Sequence, residues 1–205
     1  FQKSCAILRK LKMKQTERVD GVQSHLKKAG TPTMGGVIIL TSIVVTSLLY
    51  IKDYPQIIPV LFVTLGFGLI GFLDDYIKIV LKRSEGLTPS QKMFGQILVT
   101  GVFAVYMYKF SGISMEMIIP FFPGKTLNLG FLTIPVMFLA IIGTVNGVNF
   151  TDGLDGLANG VSAISATTML VIALMASEAQ VAIVMAALVG ASVGFMPYNL
   201  NPAKM

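Results

Sequence analysis

Two adjacent carboxylates, Asp74 and Asp75, directly follow an apolar run that ends at Leu73. If the run is a helix, acidic groups at its carboxyl end oppose the helix dipole. A divalent cation, or Lys78 one turn later, would offset the repulsion between them. The pair therefore predicts a catalytic or metal-binding site, and the alternative is a helix end that is simply marked by charge.

The segment 146–160 carries a second group of side-chain oxygens between two apolar runs. Asn149, Asp152 and Asp155 recur every three residues, which on a helix would place them along one side, within about 120° of arc. Hard oxygen ligands beside glycines suit a Mg²⁺-phosphate site, because glycine permits a close approach of the backbone. The alternative is a solvated connector with Asn, Asp and Gly turn chemistry.

Two further segments supply positive charge. Residues 25–36 contain two lysines, two threonines and a glycine pair, which suit anionic groups. A basic flank attracted to anionic lipid is the alternative for this segment. Residues 82–92 add three more cationic side chains. Acidic groups for a cation together with lysines for phosphates predict phosphoryl transfer on a diphosphate ligand.

The elements that position these groups are apolar helices. The chain has 205 residues, of which 54% are hydrophobic and 13% charged, whereas a soluble domain carries about 25% charged residues. Charge-free runs of roughly 20 residues can cross a bilayer as helices. We therefore predict an all-α, polytopic transmembrane protein with about six spans. One membrane domain, 1–205, would contain spans near 34–50, 57–73, 93–110, 129–148, 157–176 and 180–196.

The distribution of lysine and arginine predicts the orientation. Thirteen of the sixteen lie before the first span, between the second and third spans, or at the C-terminus. The remaining three are Lys52, Lys109 and Lys125. By the positive-inside rule, the cytoplasmic segments are 1–33, 74–92, 146–156 and 197–205. All the polar clusters then share the cytoplasmic face, and the formal charge of +6 needs no nucleic-acid partner to explain it.

On these motifs the chain resembles the phospho-N-acetylmuramoyl-pentapeptide-transferase (MraY) family, within the polyprenyl-phosphate hexose-1-phosphate transferases. The resemblance rests on segments 25–36, 71–78, 86–96 and 146–158, which occur in the family's order and extend over essentially the whole chain. The Thr-Pro-Thr-Met-Gly-Gly form at 31–36 favours this family over relatives that use UDP-N-acetylglucosamine.

The resemblance implies an enzyme of peptidoglycan synthesis in the bacterial cytoplasmic membrane, with its active face in the cytoplasm. It would move phospho-MurNAc-pentapeptide from UDP-MurNAc-pentapeptide to undecaprenyl phosphate, giving lipid I and UMP, with Mg²⁺ as cofactor. Membrane lipid would surround it, and a homodimer is left open. A phosphate monoester is largely dianionic at neutral pH, so the lipid phosphate needs positioning and charge neutralisation more than a base.

The resemblance also assigns roles to residues. Asp74 and Asp75 match the family's paired catalytic aspartates and, with Asp152, are the candidate metal ligands. The residues expected to contact phosphates are Lys28, Thr33, Lys78 and Lys92. The residues expected to line the nucleotide-sugar and metal region are Asn149, Asp152 and Asp155.

The chain departs from the family in length. Family members have ten spans, and their main Mg²⁺ ligand belongs to a Gly-Asp-Thr-Gly-Ser segment that would follow Met205. The resemblance therefore implies a fragment without the family's first span and C-terminal third.

Two other functions remain open at this point. One is a sibling transferase that places N-acetylglucosamine 1-phosphate on a polyprenyl phosphate. The other, from a different class, is an ion-coupled transporter, although the acidic groups cluster at one face rather than near the midplane, where transporters commonly bind substrate.

Overall fold

The structure is a computed structural model that describes residues 35–81, 86–112, 114, 116–119, 122 and 124–200. The predicted contacts Lys28 and Thr33 lie outside the described residues, as does most of the basic segment 25–36. The helices of the described part are α1 Gly35–Tyr50, α2 Ile57–Val80, α3 Pro89–Lys109, α4 Thr133–Thr151, α5 Leu157–Met175 and α6 Ala179–Asn199.

These helices confirm the all-α, polytopic class. Four helical segments of the described chain are long and apolar enough to cross a membrane: Ile57–Val80, Gly130–Thr151, Leu157–Met175 and Ala179–Asn199. A shorter apolar helix covers Gly35–Leu49. Helix α3 is long enough but less apolar than the four, because its first turns contain Ser90, Gln91, Lys92 and Gln96.

Several helix ends differ from the predicted spans, and the differences at the end of α2 and the start of α3 bear on the site. Helix α2 continues to Val80, so Asp74, Asp75 and Lys78 belong to its last turns rather than to the segment after it. Apolar Ile77 and Ile79 extend the helical pattern past the acidic pair.

Helix α3 begins at Pro89, four residues before the predicted span. The Thr88 side chain accepts from the Gln91 N–H at 3.3 Å, and the Gln91 side chain accepts from the Thr88 N–H at 3.1 Å. This capping box satisfies two backbone donors, and proline at the first helical position is already shaped for a helix. The start of α3 is thus determined by local sequence.

Small residues bring the helices together. Helix α6 packs most extensively on α5 and also on α1, while α2 packs on α3 and α1. Buried alanines occupy the α5 and α6 faces, which allows the close backbone approach that stabilises helix pairs in lipid. A Cβ on Gly66 would lie 2.8 Å from Val99 Cγ1, so α2 and α3 approach each other through a glycine.

A small hairpin joins α3 to α4 and was not predicted. Strands β1 Met117–Ile118 and β2 Thr126–Leu127 pair antiparallel, with Met117 opposite Leu127. Thr126 Oγ1 donates to Glu116 Oε2 at 2.8 Å, and Gly124 adopts a positive φ of 75° in the turn. A turn of 3-10 helix, Gly130–Leu132, then leads into α4.

Candidate functional site

The acidic and basic groups meet at one end of the helical bundle. Gly66 lies against Val99 and Gly95 against Ile70, so α2 and α3 are antiparallel. Hydrogen bonds between Gln96 and Asn146 place the start of α3 beside the end of α4. The carboxyl ends of α2 and α4 and the amino end of α3 therefore share one side of the molecule.

Asp74 is buried and both of its carboxylate oxygens are engaged. The residue is 8% exposed. Its Oδ2 accepts from Lys78 Nζ at 2.5 Å, which is a salt bridge across one helical turn. Its Oδ1 accepts from the backbone N–H of Leu87 at 2.8 Å. Asp74 thus connects the end of α2 to the loop that leads into α3.

Gly86 completes this connection because no larger residue fits there. It has a φ of +61°, a conformation that side-chain-bearing residues rarely adopt. A Cβ on Gly86 would lie 2.5 Å from Asp74 Oδ1 and 2.7 Å from Lys78 Cε. We call the contact among Asp74, Lys78, Gly86 and Leu87 the Asp74 clasp.

Asp75 has a different environment from its neighbour. It is half-buried, and no residue in the described ranges donates a hydrogen bond to its carboxylate. Among the described residues, the charged groups close enough to interact with it electrostatically are Lys78, Lys92, Asp74 and Asp152. The structure therefore brings together the acidic pair, two lysines and one acid of the 146–160 segment.

The prediction that Asn149, Asp152 and Asp155 lie along one side of a single helix is wrong. Helix α4 ends at Thr151, and α5 begins only at Leu157. Asp152 caps α4 with a ψ of 45°, outside the helical region. Gly153 and Gly156 disfavour a continuous helix, and Gly156 adopts a φ of +78° at the start of α5.

The break distributes the three residues over two elements. Asn149 is exposed on the last turn of α4, and Asp152 is exposed at its end. Asp155 is half-buried in the connecting turn. The segment is a turn between two spans that still presents polar groups beside the acidic pair.

The sequence reading missed the polar pair Gln96 and Asn146. Asn146 Nδ2 donates to Gln96 Oε1 at 2.8 Å, and Gln96 Nε2 donates back to Asn146 Oδ1 at 3.4 Å. Gln96 is 1% exposed. An amide inside an otherwise apolar span was the available signal, because such groups seek partners across helices.

The carboxylates do not form a three-residue metal cluster by themselves. Across 35–81, 86–112 and the later described positions, no three His, Cys, Asp or Glu side chains are placed to hold a metal ion together. Asp75 and Asp152 are the acidic groups of the site without a hydrogen bond to their carboxylates from those ranges.

A bundle of apolar helices with carboxylates and lysines at one end defines an integral membrane protein with a charged site at that end of the bundle. Residues 57–205 match the model of glycosyl transferase family 4, and the chain therefore belongs to that family. Residues 28–40 match phospho-N-acetylmuramoyl-pentapeptide-transferase signature 1.

Relatives that carry the name phospho-N-acetylmuramoyl-pentapeptide-transferase cover almost the whole chain. The one from Acetivibrio thermocellus is 46% identical over 201 residues, which is 97% of this chain and 60% of the relative. The one from Bacillus subtilis is 45% identical over 205 residues, which is 97% of this chain and 62% of the relative. These matches confirm the resemblance seen in the motifs, and the chain spans about 60% of the length of such relatives.

Proposed function

We propose that the chain is part of a transferase that moves phospho-MurNAc-pentapeptide from UDP-MurNAc-pentapeptide to undecaprenyl phosphate. An oxygen of the lipid phosphate attacks the β-phosphorus of the nucleotide, and the bond from that phosphorus to the bridging oxygen breaks. UMP leaves with the electron pair, and lipid I is formed. The observation that carries this proposal is the grouping of Asp75, Asp152 and Lys92 beside the Asp74 clasp, in a chain whose relatives bear this enzyme's name.

Catalysis of this kind depends on positioning and charge neutralisation. Lys92 and Lys78 are the described cations at the site, and Lys78 keeps a 40% exposed side chain although it pairs with Asp74. We assign to both lysines contacts with the phosphates of the donor or of the lipid. Asn149, Asp152 and Asp155 would line the region of the nucleotide sugar.

Mg²⁺ fits the carboxylates that the site offers. This ion is usually held by one or two carboxylates together with substrate phosphates and water. Asp75 and Asp152 match that requirement, and we assign them as its ligands in this chain. When bound, the ion would neutralise charge on the diphosphate and on the leaving UMP.

Asp74 was predicted as a catalytic residue and a metal ligand, and we assign it a narrower role. Both of its oxygens already accept hydrogen bonds, from Lys78 and from the Leu87 N–H. Its contribution to the reaction would pass through the position of Lys78 and of the loop before α3. Asp75 is then the member of the pair that faces the ligand.

The site would lie on the cytoplasmic face of the bacterial cytoplasmic membrane. The excess of lysine and arginine on the segments that share this side supports that orientation. A water-soluble nucleotide donor would reach the site from the cytoplasm, and the lipid acceptor would reach it between the helices. The homodimer stays a prediction.

Substrate choice tests the proposal. Full-length protein in detergent is supplied with undecaprenyl phosphate and either UDP-MurNAc-pentapeptide or UDP-N-acetylglucosamine, and UMP is measured. We expect UMP only from the first donor. Release only from UDP-N-acetylglucosamine would identify the sibling transferase. Ion flux in proteoliposomes without UMP release from either donor would identify a transporter.

A further inference from the structure

The amide bridge between Gln96 and Asn146 joins α3 to α4 close to the candidate site. It consists of two hydrogen bonds in opposite directions, with N···O distances of 2.8 and 3.4 Å. The second N–H of Asn146 donates to the Ile142 carbonyl of its own helix at 2.8 Å. The Asn146 side chain is therefore held by its own helix, and Gln96 reaches across to it.

The bridge is directional, unlike the apolar contacts around it. Each amide offers a donor and an acceptor. Both bonds therefore form only when the two side chains lie at the same level along the helix axes. Gln96 is buried, and a buried amide that loses its partner is left unsatisfied where water is scarce. Sliding one helix past the other would break both bonds, whereas apolar side chains could repack.

The position of the bridge relates it to the ligand-facing residues. Lys92 lies four residues before Gln96 on α3, and Asn149 lies three residues after Asn146 on α4. Gln96 contacts Asn146 and Gly101 lies near Phe138, so α3 and α4 are antiparallel. Both residues therefore lie about one turn beyond the bridge toward the same end of the bundle. A slip of one helical turn would displace them relative to each other by about 5.4 Å.

We propose that Gln96 and Asn146 are positioning residues that hold Lys92 at a defined height relative to Asn149 and Asp152. The bridge thereby sets the distance between the cationic and the acidic halves of the site, to match the phosphates of a nucleoside diphosphate. This inference rests on the proposed function, because it needs a diphosphate substrate to be measured.

The experiment uses full-length protein and five variants, one of which is Lys92→Ala alone. Gln96→Met keeps the side-chain length and removes both hydrogen bonds of the bridge, and it is made alone and together with Lys92→Ala. The exchange of Gln96→Asn with Asn146→Gln keeps one amide on each helix. Thr100→Val is the control, since Thr100 is fully buried one turn further along α3 and its hydroxyl has no partner in the described part of the chain.

We expect Gln96→Met to lower kcat/KM for UDP-MurNAc-pentapeptide by about 10- to 100-fold, since small displacements of binding groups have effects of this size. In the Lys92→Ala background the same change should lower kcat/KM by less than about 2-fold, because the lysine that it would misplace is already absent. The exchange variant should recover most of the loss, and Thr100→Val should retain the parental kcat/KM.

Other results would overturn the inference. A bridge that only stabilises the bundle would lower the thermal midpoint of Gln96→Met, leave kcat/KM of the folded fraction near the parental value, and act independently of Lys92→Ala. If the exchange variant folds but recovers nothing, the amide pairing is not what positions Lys92. A parent protein that releases no UMP overturns the proposed function itself, which separates that failure from a failure of the bridge.

Discussion

Asp74 Oδ1 accepts a hydrogen bond from the Leu87 N–H at 2.8 Å, across 13 positions of sequence. The bond connects the last turns of α2 with the residue that precedes the Thr88 cap of α3. Asp74, which the sequence motif predicts to be catalytic, therefore also supports the loop between two spans. Substitutions can therefore distinguish a role of Asp74 in stability from a role in catalysis.

Replacement of Gly86 should disturb the site without touching a charged group. In Gly86→Ala the new Cβ would lie 2.5 Å from Asp74 Oδ1, so the Asp74 clasp must open. We expect UMP release to fall by about 10-fold, because the loop and Lys78 shift. Measurement of UMP release at matched folded yield checks this.

Gly112→Ala is the matched control for Gly86→Ala. Gly112 has a φ of +65°, but a Cβ there would meet nothing within 4 Å. Both alanines carry the backbone strain of a left-handed conformation, about 1–2 kcal/mol. Equal loss of activity in the two variants would mean that strain rather than the clasp is responsible.

Two substitutions of Asp74 should differ in stability. Asp74→Asn keeps an oxygen for the Leu87 N–H and loses the ion pair with Lys78, which should cost about 1 kcal/mol because the lysine is partly exposed. Asp74→Leu also leaves the Leu87 N–H without its acceptor, which should cost about 1–3 kcal/mol more. Thermal unfolding in detergent measures both, and equal midpoints would refute a supporting role for Asp74.

Substitution of Asp75 or Asp152 should lower the rate of UMP release and leave the stability of the protein unchanged. Removal of a charge that stabilises a transition state or holds a metal costs on the order of 10²- to 10³-fold in rate. We expect Asp75→Asn and Asp152→Asn to lose UMP release by this factor with unchanged thermal midpoints. Glu116→Gln and Glu178→Gln, in the connections at the other end of the bundle, are controls. Retention of more than about a third of the parental rate would contradict the electrostatic role.

Thr100 offers a test of packing apart from the site. Its hydroxyl is buried and has no hydrogen-bond partner among the described residues. Thr100→Val keeps the shape and removes the unsatisfied group, so we expect stabilisation of about 1 kcal/mol in detergent unfolding. The control is Thr64→Val, because Thr64 Oγ1 donates to the Val60 carbonyl at 2.8 Å. A Thr100→Val protein no more stable than Thr64→Val would show that the hydroxyl is satisfied in the membrane.

The orientation can be measured at the two ends of α3. Ser90 lies in its first turn, and Thr126 lies in the hairpin that follows its other end. Single cysteines at these positions, in a Cys5→Ser background, should react with a membrane-impermeant thiol reagent from opposite sides, Ser90 from the cytoplasm. Labelling of both from one side would remove the common cytoplasmic site.

The sequence alone determined the helices, because apolar length and local caps act within a single segment. Each of the six predicted spans overlaps one of the helices α1 to α6, although the Thr88–Gln91 capping box starts α3 at Pro89 rather than near 93. The positive-inside rule also predicted that the acidic and basic clusters lie on one side of the membrane. The predicted end of α2 is wrong. The acidic pair indicated a helix end, whereas the apolar pattern continues and the helix reaches Val80.

The pairing of polar groups depends on the tertiary arrangement of the helices. The partner of Asp74 Oδ1 lies across a loop, and the partner of Gln96 lies 50 residues away on another span. The turn at 152–156 likewise replaced the expected row of acids along one helix. Helix formation depends on neighbours within about one turn, whereas these contacts depend on how antiparallel helices align after loops close. That alignment is set by the packing of Gly66, Gly95 and similar positions against the next helix, and no pattern within one segment contains it.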